Sequence, residues 1–364
     1  MKKTLTRLLS TVCVLSMVFS LAACGKKEDP KPSTSGSSTS QGEQKDPSTM
    51  TPDEKAANAD ITMKLGTKMV ADGAEGKAFQ KFADLVYEYS KGTIYVEVYP
   101  SEQLGNQTTQ INNTIMGTQE LFVESGDAFS IFTTDFELTQ IPYLFPSYDD
   151  YWEFVSGDFG RQQEQVLEDN GLVLLNTNRD WKRGPDRVAG CVSKPLQTVN
   201  DLKGVTFRCW DAPKYMDGYA RLGANPLVVA WSECYLALQQ GTIDAVTTTM
   251  INFADAGFGE VCKNVSVINE FPQELFMLIN KDVYERLSDE QKQYMHDAAN
   301  DAATFSNDSL DTAWDEAVEK LKGQGVTIYE FDTAGANAAL QPYFIELEDA
   351  GKLPAGLCAK LGYR

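Results

Sequence analysis

The chain has 364 residues, 42% of them hydrophobic, and a formal net charge of −20 at pH 7. So acidic a surface argues against nucleic acid and against direct adsorption to anionic lipid, though not against a small anion held by a few buried cations. With a single histidine, His296, and no GxSxG, HExxH or phosphate-cradling glycine loop, the sequence points to a binder rather than an enzyme, with no catalytic residue and no cofactor.

The opening MKKTLTR is a positive n-region, and Leu8 to Ala23 is an apolar run too short to span a bilayer. Leu21-Ala22-Ala23-Cys24 then has the form of a lipobox. Residues 1–23 are therefore expected to be a lipoprotein signal peptide, with lipid at Cys24 anchoring the mature chain to the outer face of the cytoplasmic membrane. Each buried lipid methylene contributes about 0.8 kcal/mol. Loss of Lys2, Lys3 and Arg7 takes the net charge from −20 to −23. Residues 24–59, rich in Ser, Thr, Gly, Pro and mixed charge, read as a flexible tether with a reach of roughly 30 Å.

The remainder exceeds one ordinary core and suits two α/β lobes. The first is expected over 60–183, with 271–300 returning to it, and the second over 184–270, with 301–364 spanning or packing on both. In the first, Ile61 to Gly66 and Ile94 to Val98 read as strands around a helix near Gly76 to Ser90. Leu121 to Val123 is a short strand ending at Glu124-Ser125. The aromatic-rich IPYLFPSYDDYWEF reads as wall and cover. After a strand at Leu172 to Leu175, the run Asn178 to Arg183 suggests a crossing between lobes.

In the second lobe Val205 to Arg208 and Pro226 to Ala230 read as buried strands, Ser232 as a helix N-cap, and Cys234 to Leu238 as a short helix closed by Gly241. Short strands and helices in alternation predict mostly parallel sheets, with ligands beyond the carboxyl ends of strands, where Arg208 and Thr247 to Thr249 fall. Phe276 to Ile279 re-enters the first lobe. A capping box at Ser288 and Gln291 starts one long helix from Asp289 to Lys322, whose apolar face includes Tyr294, Ala302, Phe305 and Leu321. His296 on that helix is expected to be exposed. Beyond Cys13 and Cys24 stand Cys191, Cys209, Cys234, Cys262 and Cys358, an odd number without CxxC spacing. That gives no metal site and no full disulfide framework, and leaves one bridging pair open.

PLQTVNDLKGVTFR, LGANP and SECYLALQQGTIDAV, at unbroken spacing, resemble the core signature of the solute-binding proteins of TRAP transporters, the DctP-like family. LGTKMVADG, VEVYPSEQLGNQ and IPYLFPSYDDYWEFVSGDFG upstream, and LINKDVYERLSDEQKQYMHDAA downstream, extend the resemblance over residues 60 to about 330. It implies a two-lobed periplasmic-binding-protein-like α/β fold, with a long helix across both lobes. The implied function is capture of a small organic acid by lobe closure and delivery to an ion-gradient-driven TRAP permease.

The resemblance makes Arg187 the carboxylate clamp, with Arg183 close by as an alternative, and Arg208 the second arginine. Trp231 falls at an aromatic wall and Thr248 at a polar ligand contact, while Glu124, Ser125 and Lys68 match cleft-facing positions. Cys209-Trp210 replaces the family's usual Val-Pro, so Trp210 either narrows the pocket or packs on the lobe. A lipoprotein serving an ATP-driven importer of a non-carboxylate solute is the second reading.

Overall fold

The computed structural model describes residues 49–184 and 186–364. The signal segment, Cys24 and most of the expected tether lie outside the described residues. The tether's end differs from the coil expected of it: Pro52–Asn58 is a helix. Thr51 and Glu54 close a capping box, Pro52 stands at the first turn where no N–H is needed, and the Lys55 ammonium lies 5.2 Å over the Tyr87 ring. These local contacts provide order that composition does not reveal.

Two sheets carry the fold. The first contains β1 (Ile61–Gly66), β2 (Ile94–Tyr99), β3 (Leu121–Ser125), β4 (Leu172–Leu174) and a late strand, β10 (Leu275–Asn280). The second contains β5 (Arg187–Cys191), β6 (Thr206–Cys209), β7 (Asn225–Val228), β8 (Ala245–Thr249), β9 (Asn264–Val267) and β11 (Thr327–Glu330). Their spatial orders are β2-β1-β3-β10-β4 and β11-β9-β5-β8-β6-β7.

Neither sheet is as parallel as expected. β10 runs against β3 and β4, and β5 runs against β8 and β9. The reason is connectivity: β4 leads into β5 and β9 into β10, so each of these strands is entered from the end at which the other sheet's strand finishes. No crossover helix turns the chain back first. The two crossings pair with each other. The Leu275 amide donates to Trp181 O at 2.9 Å, the Arg183 amide to Gln273 O at 2.9 Å, and the Ile268 amide to Arg187 O at 2.9 Å.

Both faces of each sheet are covered, and alternation along the strands sorts side chains between them. In β10, Leu275, Met277 and Ile279 join a core with Phe79, Phe82 and Ala298, while Phe276 and Leu278 join another with Phe129 and Phe136. In β5, Val188 packs with Phe253 and Leu321, while Ala189 and Cys191 face Tyr219 and Phe344. Leu138, Ile141, Leu144 and Tyr151, although they precede residue 183, share that last core with the second sheet.

Five local expectations are corrected. β7 is an edge strand with Leu227 and Val228 exposed, rather than buried, because only β6 pairs with it. Ser232 lies inside a 3-10 turn, Trp231–Glu233, and caps no helix; the helix Cys234–Gln239 follows that turn directly. The long helix is two, Asp289–Asp308 and Leu310–Gly323, broken at Ser309, whose amide and hydroxyl both return to Ser306 O. The first half lays Ala298, Ala299, Ala302 and Ala303 into the first core, and the second half sends Leu310, Ala317 and Leu321 into the second sheet's. Phe305, expected on the apolar face, is 44% exposed. His296 is half-buried rather than exposed, with Nδ1 2.8 Å from Leu175 O and Nε2 2.8 Å from the Tyr284 hydroxyl.

Asn176 extends the ladder past β4 with its side chain. Its amide donates to Leu275 O at 2.9 Å, and its carbonyl oxygen accepts from the Met277 amide at 2.8 Å. Asn176→Ala strands both buried backbone groups, and is expected to lower unfolding free energy by about 2–6 kcal/mol at roughly 1–3 kcal/mol per unsatisfied group, read as a lower urea midpoint with unchanged slope.

Candidate functional site

The carboxyl ends of β1, β3, β6 and β8 open on one cavity of about 460 Å³ between the two sheets. From the first sheet it receives Lys68 beyond β1 and Ser125 at the end of β3. The first crossing contributes Arg183 and Arg187. The second sheet contributes Arg208 and Trp210 from the end of β6, Trp231 beyond β7, and Thr248 from β8. Of the residues expected at the site, Glu124 alone does not line the cavity. It is 2% exposed and stands behind the wall, engaged by neighbouring cations.

Four cationic side chains reach the cavity, and their internal partners separate them. Arg187 donates from Nε to Glu270 at 2.8 Å, from Nη1 to Gln273 at 2.5 Å and from Nη2 to Thr247 at 3.2 Å, with its guanidinium 4.3 Å from the Phe271 ring centre. Glu270 also accepts from Thr247 at 2.5 Å, from Tyr215 at 3.1 Å and from Tyr219. Burial, and then the Glu270 charge, push both phenols well above their ordinary range, so they remain neutral donors.

Arg183 divides its fork between Glu75 at 3.0 Å and Glu124 at 2.6 Å, with Ser125 Oγ at 3.1 Å. Lys68 pairs with Glu124 at 2.8 Å. Arg208 differs. Its Nε donates to Val229 O at 2.9 Å and its guanidinium carbon lies 5.8 Å from both the Trp210 and Trp231 rings, but among the described residues it has no carboxylate partner. It is 6% exposed. Trp210 both packs and lines: it stacks on Tyr215 at 4.2 Å and forms cavity wall. No group of acidic, His or Cys side chains among the described residues is placed to hold a metal.

Several lining or supporting residues escaped the sequence reading. Glu270 and Gln273 sit on the second crossing, and Asp127 lies two residues beyond Ser125 in a 3-10 turn, Gly126–Phe129. Asp127 was within reach of the rule that ligands gather beyond strand ends. Glu137, on the 3-10 segment Thr134–Gln140, carries no comparable sequence signal.

Two α/β units that meet at a cleft and are joined by paired crossings have the build of a two-lobed binding protein. Residues 65–348 match the sequence profile of the bacterial extracellular solute-binding proteins, family 7 (DctP), and the chain belongs to that family. It is 25% identical over 295 residues to the sialic acid-binding periplasmic protein SiaP of Vibrio cholerae, covering 80% of this chain and 90% of that protein. To the C4-dicarboxylate-binding periplasmic protein DctP of Rhodobacter capsulatus it is 26% identical over 290 residues, covering 79% and 86%. The crystal structure of a TRAP periplasmic solute-binding protein from Roseobacter denitrificans with bound L-galactonate superposes with a TM-score of 0.72 at 26% identity, covering 79% of this chain and 94% of that one.

Burial pushes the Glu124 carboxyl up, but Lys68 and Arg183 overcome this and hold it at about 2, below its ordinary 4.5. A carboxylate depressed in this way stabilises the fold fully above pH 4.5, and the contribution fades as pH falls toward 2. Glu124→Gln is expected to destabilise the protein at pH 7 and to flatten the loss of stability between those two pH values, measured by thermal melts across the acid range.

Proposed function

We propose that this protein captures a small organic acid in the cleft, with Arg208 as the carboxylate clamp. The observation that carries the reading is the unequal pairing of the four cations: Arg183, Arg187 and Lys68 each meet an internal carboxylate, and Arg208 meets none among the described residues. A buried guanidinium without a counter-charge is costly to the empty protein, and an incoming carboxylate removes that cost while forming bidentate bonds. The clamp expected at Arg187 is better served by Arg208, because Arg187 already directs its three nitrogens at Glu270, Gln273 and Thr247.

Charge-assisted bonds contribute roughly 1.5–3 kcal/mol each, whereas micromolar affinity needs about 8 kcal/mol, so closure of the lobes over the ligand supplies the difference. Trp210 and Trp231 flank the guanidinium, and Thr248 offers a hydroxyl to the rest of the ligand.

Family membership supports delivery of the bound acid to an ion-gradient-driven TRAP permease over service to an ATP-driven importer. The lipobox supports anchoring through Cys24 after removal of residues 1–23, with the following segment holding the lobes above the membrane. On this reading residues 60–183 and 271–300 form one lobe and 184–270 the other, with 301–364, which adds β11 to the second sheet, spanning or packing on both.

A thermal-shift panel of mono- and dicarboxylates, keto acids and sugar acids against neutral sugars tests the site. At least one acid is expected to stabilise the protein, with affinity about a hundredfold weaker in Arg208→Ala, the equivalent of roughly 3 kcal/mol. Arg187→Ala is expected chiefly to lower the melting temperature of the ligand-free protein, since it abandons Glu270. Stabilisation by a neutral sugar alone, unchanged in Arg208→Ala, would refute the carboxylate reading.

A further inference from the structure

The cavity also receives buried carboxylates. Asp127, just beyond β3, and Glu137, on the 3-10 segment that reaches the second sheet's core, both line it, and they are only 8% and 2% exposed. Neither is neutralised in the way that Glu75, Glu124 and Glu270 are. Asp127 forms no ion pair among the described residues. One of its oxygens accepts from Ser125 at 2.5 Å and from Gln140 at 2.5 Å, and the other has no hydrogen-bond partner there. Glu137 accepts the Lys214 amide at 3.0 Å with Oε2, and the Lys214 ammonium stands 3.9 Å away, itself turned to Thr134 O at 2.8 Å.

Among the described residues the unmatched buried charges of the cleft are thus the Arg208 guanidinium and the Asp127 carboxylate, with Glu137 only distantly paired to Lys214. A ligand that satisfies both carries a single negative end for Arg208 and hydrogen-bond donors for Asp127 and Glu137. A second carboxylate near Asp127 would meet like charge, a juxtaposition that discriminates strongly. The remaining neutral groups on that side decide between kinds of donor. Asn106, Gln107 and Thr108, all on the cavity wall, offer both donors and acceptors. Hydroxyl groups match such a wall because they donate to the carboxylates and accept from the amides. An ammonium only donates, and it would also share the space with Lys68.

We infer that the cleft selects a monocarboxylate bearing several hydroxyl groups, and that Asp127, assisted by Glu137, is the determinant that refuses dicarboxylates. This rests on the assignment of Arg208 as the carboxylate clamp, and it adds the chemistry of the ligand's other end.

Isothermal titration of the purified protein, unfolded and refolded to strip carried ligand, tests it with gluconate, succinate, adipate, lysine and glucose as probes. Gluconate is expected to bind at least about tenfold more tightly than either dicarboxylate, and Asp127→Asn, which keeps the shape and removes the charge, to shrink that ratio about tenfold or more. Glu137→Gln is expected to act in the same direction, and melting of each ligand-free variant reports whether it has folded. Succinate or adipate equalling gluconate, preferential binding of lysine, or an unchanged ratio in folded Asp127→Asn and Glu137→Gln would each overturn the inference while leaving the clamp standing. Glucose binding as tightly as gluconate, with Arg208→Ala affecting neither, would instead remove the clamp, and this inference with it.

Discussion

A guanidinium placed in a protein interior must be matched, and the match between Arg187 and Glu270 organises the middle of this molecule. Arg187 opens the first strand after the chain leaves one sheet, and Glu270 lies where the chain starts back toward it. Their ion pair therefore ties the outgoing crossing to the returning one, and the backbone bonds from Ile268 to Arg187 and from Arg183 to Gln273 run along the same seam. Removing either partner of such a pair is strongly destabilising, on the order of 3–5 kcal/mol, because it leaves a buried charge alone. The same bonds fix the back wall of the cavity, so the position of the site and the joining of the lobes have one physical cause.

Much of this was legible in the sequence, and the limits of legibility follow from distance along the chain. The strands at Ile61 to Gly66 and Ile94 to Val98 declare themselves through period-two alternation, and the helix from Asp289 declares its start through Ser288 and Gln291. Those signals lie within a few residues of what they specify. The direction of β5 and β10 does not, because it depends on which sheet the chain has just left. The break at Ser309 is likewise invisible to a periodic pattern, since Leu310 to Leu321 continues the helical spacing with little interruption.

At the site the same division holds. Arg187, Arg208, Trp210, Trp231, Thr248, Ser125 and Lys68 were readable as a set, and the structure brings all seven to one cavity wall. What could not be read was how the charges pair. Glu75, Glu124 and Glu270 come from three distant segments, and only their arrival beside Arg183, Lys68 and Arg187 separates occupied cations from the one left over. An acidic chain of net charge −20 can present a selective site for an anion because local pairing, rather than total charge, sets the potential in the cleft.

The five described cysteines are all unbonded and buried in the cores. Burial raises the thiols of Cys209 and Cys262 to about 12, and those of Cys234 and Cys358 also upward, so the nucleophilic thiolate is scarce. Packing, not covalent stapling, holds these segments together. A chain built this way reaches its final form without an oxidant or a disulfide-forming catalyst on the far side of the membrane. The described residues therefore hold no covalent cross-link that a reductant could break.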